Sequence, residues 1–126
     1  MIEARRFLLD SNICIAFLGG GREGLRKRMR EHERQLVTSS ICFGEVMLGF
    51  RRSGSDEGVA RELFGFVKVL PYDEAAAEQY AGLPFRRGRL DRLIAAQCLS
   101  LGAVLVTNNV PDFADVPGLS IENWLA

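Results

Sequence analysis

The sequence predicts a three-layer α/β/α fold built on a central parallel sheet of four to five strands. Short apolar runs typical of strands alternate along the chain with helical patterns, and this alternation is the main basis of the prediction. Residues 103–106 are wholly apolar, as expected for a strand that helices cover on both faces. Right-handed crossover connections should therefore join the strands.

Turn residues and helix caps set the order of the elements. The glycines at 19–21 interrupt the chain, Ser39 or Ser40 can cap a helix, and Pro71 marks a strand end. Strands are predicted at 6–9, 35–38, 68–73 and 103–106, with Leu119 and Ile121 in a further edge strand. Helices are predicted at 11–18, 22–34, 41–52, 59–67, 73–82 and 91–102.

Length and composition indicate one globular domain spanning residues 1–126, with 48% hydrophobic residues, 25% charged residues and a formal net charge of zero. No apolar run has the roughly 20 residues that cross a bilayer. The first residues lack the long apolar segment of a secretory signal, so the cytoplasm is the expected location. Cys14, Cys42 and Cys98 lie in apolar stretches and are expected to be reduced core residues.

Several acidic residues occupy positions that could meet at one edge of the predicted sheet. Asp10 directly follows the first strand, and Thr107 follows the strand at 103–106, so both belong to the carboxyl edge where ligands bind in such sheets. Glu45 interrupts the apolar face of a helix, Asp91 opens a buried helix, and Asp112 lies shortly beyond Thr107. These positions predict a shared carboxylate site.

Clustered carboxylates repel one another unless a cation neutralises them, and an all-oxygen site favours Mg²⁺ or Mn²⁺. Such an ion can activate water to cut a phosphodiester without a protein nucleophile. Simpler interpretations stay open: Asp10 and Asp91 could be helix caps, Glu45 a solvated residue and Asp112 a turn residue. Asp73 is interpreted as a plain helix cap.

Other catalytic arrangements find little support in the sequence. His32 is the only histidine and lies in a charged run, which predicts a solvated surface position and argues against a serine triad or a histidine-pair ribonuclease. The glycines at 19–21 do not fit a phosphate-binding loop. Phosphoryl transfer onto Asp10 would favour a lysine at a later strand end, and AVLVTNN contains none.

Five segments taken together carry a family resemblance: LLDSNICIAFL, SSICFGEVMLG, LPYDEAAAEQYA, LDRLIAAQCLSLGAVLVTNNVPDF and VPGLSIENW. They resemble the PIN-domain ribonucleases, specifically the VapC toxins of bacterial toxin–antitoxin pairs, over nearly the whole chain. The resemblance implies a PIN-like five-stranded sheet, homodimerisation, and a Mg²⁺- or Mn²⁺-dependent endoribonuclease that cuts a structured RNA, either tRNA or rRNA. It also implies a cognate antitoxin whose C-terminal segment covers the active site. A degenerate domain that binds RNA or protein without cleavage is the alternative.

The resemblance also assigns roles to individual residues. The four acids form the catalytic set, with Asp10, Asp91 and Asp112 as the expected metal ligands and Glu45 completing the pocket directly or through water. Three further residues are expected to support them: Asn12 by orienting Asp10, and Thr107 and Asn109 by supporting metal-bound water or substrate phosphate.

Two features depart from the family pattern. Serine replaces the usual threonine in DSN, which keeps the hydroxyl, and the segment before Asp91 is shortened to LPFRRGR. The shortening places four arginines around Asp91, where they could bind RNA phosphate, pair with antitoxin acids, bridge the catalytic carboxylates or merely solvate a loop. These arginines are Arg86, Arg87, Arg89 and Arg92.

Overall fold

A five-stranded parallel sheet forms the middle layer of the molecule, which a computed structural model describes over residues 5–84 and 89–126, with Arg89 described by its backbone alone. The strands lie in the order β3-β2-β1-β4-β5, so β1 is central. They are β1 (Phe7–Leu9), β2 (Leu36–Ser39), β3 (Lys68–Leu70), β4 (Val104–Val106) and β5 (Ser120–Glu122). The predicted α/β/α class is confirmed, with five strands.

Six helices and two short 3-10 helices complete the described part of the chain. The helices are α1 (Ser11–Leu18), α2 (Glu23–Glu31), α3 (Ser40–Ser53), α4 (Glu57–Leu63), α5 (Glu74–Ala81) and α6 (Arg89–Leu101). The 3-10 helices are Glu33–Gln35 and Val110–Phe113. Among these helices, none combines the length and apolar character needed to span a membrane.

The hydrophobic core has two parts, one on each face of the sheet. Side chains alternate between the faces of a strand, so Phe7 and Leu9 of β1 pack in one part while Leu8 packs in the other. Leu105 of β4 joins Leu8 on the second face, together with Phe113. The strands are therefore covered on both faces, as their apolar composition predicts.

Side-chain caps fix where several helices begin. The Ser39 hydroxyl accepts a hydrogen bond from the Ile41 amide at 3.0 Å, which places the start of α3 directly after β2. The Asp73 carboxylate accepts one from the Ala76 amide at 2.9 Å, so its predicted role as a plain cap is confirmed. The expectation that the three cysteines are buried thiols is confirmed as well.

Two predicted helices are shorter in the structure than in the sequence-based prediction. The helix expected at 59–67 ends at Leu63, because the chain turns there to bring the fully buried Val67 into the core ahead of β3. The helix expected at 22–34 ends at Glu31, and a 3-10 turn follows. Tertiary packing overrides helical periodicity at both ends.

His32 is not the solvated surface residue that the charged run predicts. Its ring is half-buried, with its centroid 4.4 Å from that of Phe7 and 5.6 Å from that of Trp124, and its Nδ1 lies 3.3 Å from the Gln35 Oε1. The prediction is corrected because the apolar partners come from distant parts of the chain. His32 is a packing residue between β1 and the C-terminal segment.

Replacement of His32 by alanine is expected to lower the free energy of unfolding by about 1–2 kcal/mol, since it removes a ring that packs against both Phe7 and Trp124. Urea denaturation measures the loss. His32→Phe serves as the control because it keeps a ring at this position. Equal stability of His32→Ala and the unchanged protein would contradict the packing role.

Candidate active site

Asp10 lies at the centre of the candidate site because it directly follows β1, the central strand. Its backbone amide donates to the Val106 carbonyl oxygen at 3.0 Å, and its side chain caps α1 by accepting from the Ser11 amide at 2.8 Å. The residue is 6% exposed, and burial is the main cause that raises its pKa, against hydrogen bonds from Thr107 and Ser11. The Asp10 carboxylate therefore both caps α1 and belongs to the candidate site.

Thr107 holds the other oxygen of that carboxylate. The residue follows β4, is fully buried, and its hydroxyl donates to Asp10 Oδ2 at 2.9 Å. The same hydroxyl accepts a hydrogen bond from the Asn109 amide at 3.0 Å. Thr107 thus orients Asp10 from inside the fold, and its expected support of metal-bound water or substrate phosphate stays a prediction.

Asp112 is held in the same loop, within the 3-10 helix that follows β4. The Asn109 side-chain amide donates to Asp112 Oδ2, and the Asp112 backbone amide donates to the Asn109 carbonyl oxygen at 3.1 Å. Asn109 therefore positions Asp112, a different target from the water or phosphate that the sequence predicts. Both supporting residues act on carboxylates of the candidate set.

Glu45 and Asp91 face the same region from α3 and α6. Burial is the largest cause that raises the pKa of each, and the negative charge of Asp10 raises both further. The neighbouring Asp112 carboxylate also raises the pKa of Asp91, whereas the Ser11 side chain lowers that of Glu45. The structure brings the four predicted acids into one electrostatic cluster.

This cluster fits a divalent cation by its chemistry. Three of its carboxyls have raised pKa values, because burial and neighbouring negative charges disfavour their ionised forms. A bound cation would offset this electrostatic repulsion. The donor atoms are carboxylate oxygens, the ligands that Mg²⁺ and Mn²⁺ prefer. Within residues 5–84 and 89–126, no group of three or more acidic, histidine or cysteine side chains lies close enough together to hold an ion.

The assignment of Asn12 differs from the sequence-based expectation, and a neighbouring residue was not predicted. The Asn12 side chain is exposed, and in the described part of the chain the hydrogen bonds to the Asp10 carboxylate come from Ser11 and Thr107. Asn12 therefore does not orient Asp10, because the side chain after Ser11 on α1 points away from it. Ser11 was missed as a site residue, although the retained hydroxyl in DSN was its signal.

The predicted role of one of the arginines around Asp91 is also corrected. Arg92 is 3% exposed and pairs with Asp115, so it is turned into the protein and is not a surface contact for RNA or antitoxin. Its position on the inner face of α6 is the reason. Arg86, Arg87 and the side chain of Arg89 lie outside the described residues.

Replacement of Thr107 by valine is expected to raise the pKa of Asp10 further, because the hydrogen bond that stabilises the ionised carboxylate is lost. The free energy of unfolding at neutral pH should fall by about 1–3 kcal/mol. Carboxyl ¹³C NMR titration measures the pKa. Thr107→Ser, which keeps the hydroxyl, is the control, and an unchanged Asp10 pKa in Thr107→Val would refute the assignment.

Comparisons with known proteins agree with this geometry. The family model described as PIN domain matches residues 7–119. The tRNA(fMet)-specific endonuclease VapC of Shigella flexneri is 34% identical, with 94% of this chain and 98% of that protein covered. The DNA-bound VapBC structure from Salmonella typhimurium has 32% identity and a TM-score of 0.81, with 96% of this chain and 99% of that chain covered. The VapBC-1 structure from nontypeable Haemophilus influenzae has 28% identity and a TM-score of 0.80, covering 95% and 98%.

The family model covers residues 7–119, which include all four acids and the first four strands of the sheet, and the VapC relative from Shigella flexneri matches over 94% of this chain. Fold, sequence and site chemistry point to the same group of proteins. The chain belongs to the PIN-domain family and, within it, to the VapC ribonucleases.

Proposed function

We propose that this protein is a divalent-metal-dependent endoribonuclease that acts as the toxin of a toxin–antitoxin pair. The observation that carries the proposal is the meeting of Asp10, Glu45, Asp91 and Asp112 in one cluster at the carboxyl edge of the sheet, where the pKa values of the first three are raised. Raised carboxyl pKa values in such a cluster are typical of functional sites. The VapC relatives are named as endonucleases and ribonucleases.

Each site residue has a task in phosphodiester hydrolysis. Asp10, Asp91 and Asp112 would hold Mg²⁺ or Mn²⁺, which supplies a Lewis acid that stabilises negative charge on the phosphate and activates water. Hydrolysis forms a P–O bond to the attacking water oxygen and breaks the P–O bond to the leaving oxygen, while one proton leaves the water and one reaches the leaving oxygen. Glu45, half-buried and with a raised pKa, is suited to exchanging a proton in this reaction.

The proposed substrate is a structured RNA, with tRNA as the first candidate. Two relatives, from Shigella flexneri and Salmonella typhimurium, are named as specific for tRNA(fMet). Arg86, Arg87 and Arg89 stay predicted contacts for RNA phosphate or for acids of the antitoxin, because they flank the third aspartate in the sequence. The proposed place of action is the cytoplasm, where the RNA is found.

The proposed partners are a cognate antitoxin and a second copy of the chain. Structures of similar proteins are titled as VapBC and toxin–antitoxin complexes. The C-terminal segment of the antitoxin is proposed to cover the acidic site.

The test is incubation of the antitoxin-free protein with total tRNA and Mg²⁺ or Mn²⁺. Discrete fragments are expected, and they should disappear with a chelator and with Asp10→Asn. Asp73→Asn is the matched control, because asparagine keeps the cap of α5 at a distance from the acids. Cleavage that survives both the chelator and Asp10→Asn would overturn the proposal, and tight RNA binding without cleavage would favour the degenerate binding module.

A further inference from the structure

Arg92 is the charged residue most deeply buried in the described part of the chain. Its guanidinium forms a two-point ion pair with Asp115, with Nη2 2.8 Å from Oδ1 and Nη1 3.2 Å from Oδ2. The Arg92 side chain is 4% exposed and that of Asp115 is 37% exposed. A guanidinium buried to this extent has given up its hydration, so its partners in the protein must replace water.

The same guanidinium also contacts the backbone of a proposed metal ligand. Arg92 Nη2 donates to the Asp112 carbonyl oxygen at 2.7 Å, and Arg92 itself follows Asp91 directly in α6. One rigid, planar group therefore links the first turn of α6, which carries Asp91, to the 3-10 helix that carries Asp112. Without this link, hydrogen bonds from Asn109 and packing of Phe113 would hold the loop.

We propose that Arg92 is a positioning residue that, with Asp115, sets the spacing between the Asp91 and Asp112 carboxylates and thereby the affinity of the site for a divalent cation. The inference rests on the proposed function, because the cation belongs to the proposed nuclease. Under this proposal, Arg92 and Asp115 position the metal ligands without contacting the cation themselves. Outer contacts of this kind typically change metal affinity by about 10- to 100-fold when they are removed.

The positive charge of Arg92 weakens cation binding, whereas its hydrogen bonds are proposed to strengthen it. The guanidinium repels a cation and lowers the pKa of the neighbouring Asp91 carboxyl, whose pKa burial raises. A variant that only removes this charge would strengthen cation binding by removing the repulsion, and would weaken it by releasing the segment that carries Asp112. The two effects would partly cancel. The decisive variants must therefore keep the net charge constant.

Two substitutions meet that requirement. Arg92→Lys keeps the positive charge, but one ammonium cannot reproduce the planar fork that reaches both Asp115 oxygens and the Asp112 carbonyl. The double variant Arg92→Gln with Asp115→Asn removes one charge of each sign. Arg51→Lys is the matched control, because Arg51 makes an exposed ion pair with Glu57 on α3 and α4, at 3.1 Å.

Calorimetric titration measures the affinity of the metal-free proteins for Mn²⁺ in the absence of RNA. It is done well below their melting temperatures. Both Arg92 variants are expected to bind Mn²⁺ about tenfold more weakly, while the Arg51→Lys protein binds as the unchanged protein does. A purely structural ion pair would lower the melting temperature and leave the Mn²⁺ affinity of the folded protein unchanged. Affinities within twofold of the unchanged protein in both variants would overturn the inference.

Hydrogen exchange separates this inference from the proposed function. In the metal-free variants, the amides of Asp112 and Phe113 are expected to exchange faster, because the Asp112 carbonyl has lost its anchor. If the unchanged protein binds no Mn²⁺ at all, the proposed function fails. Exchange that stays slow in both Arg92 variants would show that Arg92 does not position this segment, whatever the metal result.

Discussion

Asp10→Asn is expected to lower RNA cleavage by at least about a thousandfold while making the metal-free protein more stable at neutral pH. The loss of activity follows from the central position of Asp10, which follows the middle strand and influences both Glu45 and Asp91 electrostatically. The gain in stability follows from its burial, which raises the pKa of the folded state. Cleavage assays and thermal melts of the same preparations measure both effects.

The sign of the stability effect follows from linkage. A carboxyl whose pKa is raised by folding stabilises the protein in its protonated form, fully below the unfolded-state pKa, and this contribution is lost as pH rises through the folded-state pKa. The difference in melting temperature between Asp10→Asn and the unchanged protein should therefore grow from acidic to neutral pH. Mn²⁺ should reduce the difference by stabilising only the protein with the acid.

The control for this pair of effects is again Asp73→Asn, which exchanges the same atoms at an exposed helix cap. It should change neither cleavage nor the pH dependence of the melting temperature. A metal-free Asp10→Asn protein that melts below the unchanged protein at neutral pH would show that the carboxylate is a net stabilising cap of α1. The interpretation that the buried Asp10 carboxylate costs stability for the sake of function would then be contradicted.

Phe113→Ala is expected to destabilise the protein by about 3–5 kcal/mol, the usual loss for a large aromatic side chain removed from a packed core. Phe113 is fully buried and packs in the part of the core that contains Leu8, Ile94 and Leu105. It also follows Asp112, so the cavity would lie under the loop that carries a proposed metal ligand. Urea denaturation at constant temperature measures the loss.

Phe66→Ala is the matched control for this substitution. Phe66 is 47% exposed, and its ring packs edge-to-face with the Phe17 ring at a centroid distance of 6.0 Å. Its replacement should cost about 1 kcal/mol or less. A loss for Phe113→Ala no greater than that for Phe66→Ala would mean that the 3-10 helix is held mainly by polar contacts.

Much of the fold could be predicted because burial imposes a period on the sequence. The strands are short apolar runs whose alternate residues enter the two halves of the core, and polar caps such as Ser39 and Asp73 mark where helices begin. The exceptions are the ends of α2 and α4. After α2 the distant Trp124 packs against His32, and after α4 the chain turns to bury Val67, and no short-range pattern encodes either contact.

The acids of the candidate site could be predicted for a similar reason, since strand ends and interrupted apolar faces are visible in the sequence. The residues that hold them could not. Thr107 is 97 residues from Asp10, and Arg92 is 20 residues from Asp112, so their hydrogen bonds depend on how the elements pack. Exposed and buried arginines also look alike in a sequence, which is why Arg92 was grouped with its neighbours.

The central position of β1 has a consequence for the order in which the protein becomes active during synthesis. β1 and Asp10 are made before the other elements of the sheet, yet one edge of β1 stays unpaired until β4 has been made. Thr107 and Asp112 are made later still. Under the proposed function, a nascent polypeptide without β4 and the segment that follows it would therefore lack a complete acidic site and could not cut RNA.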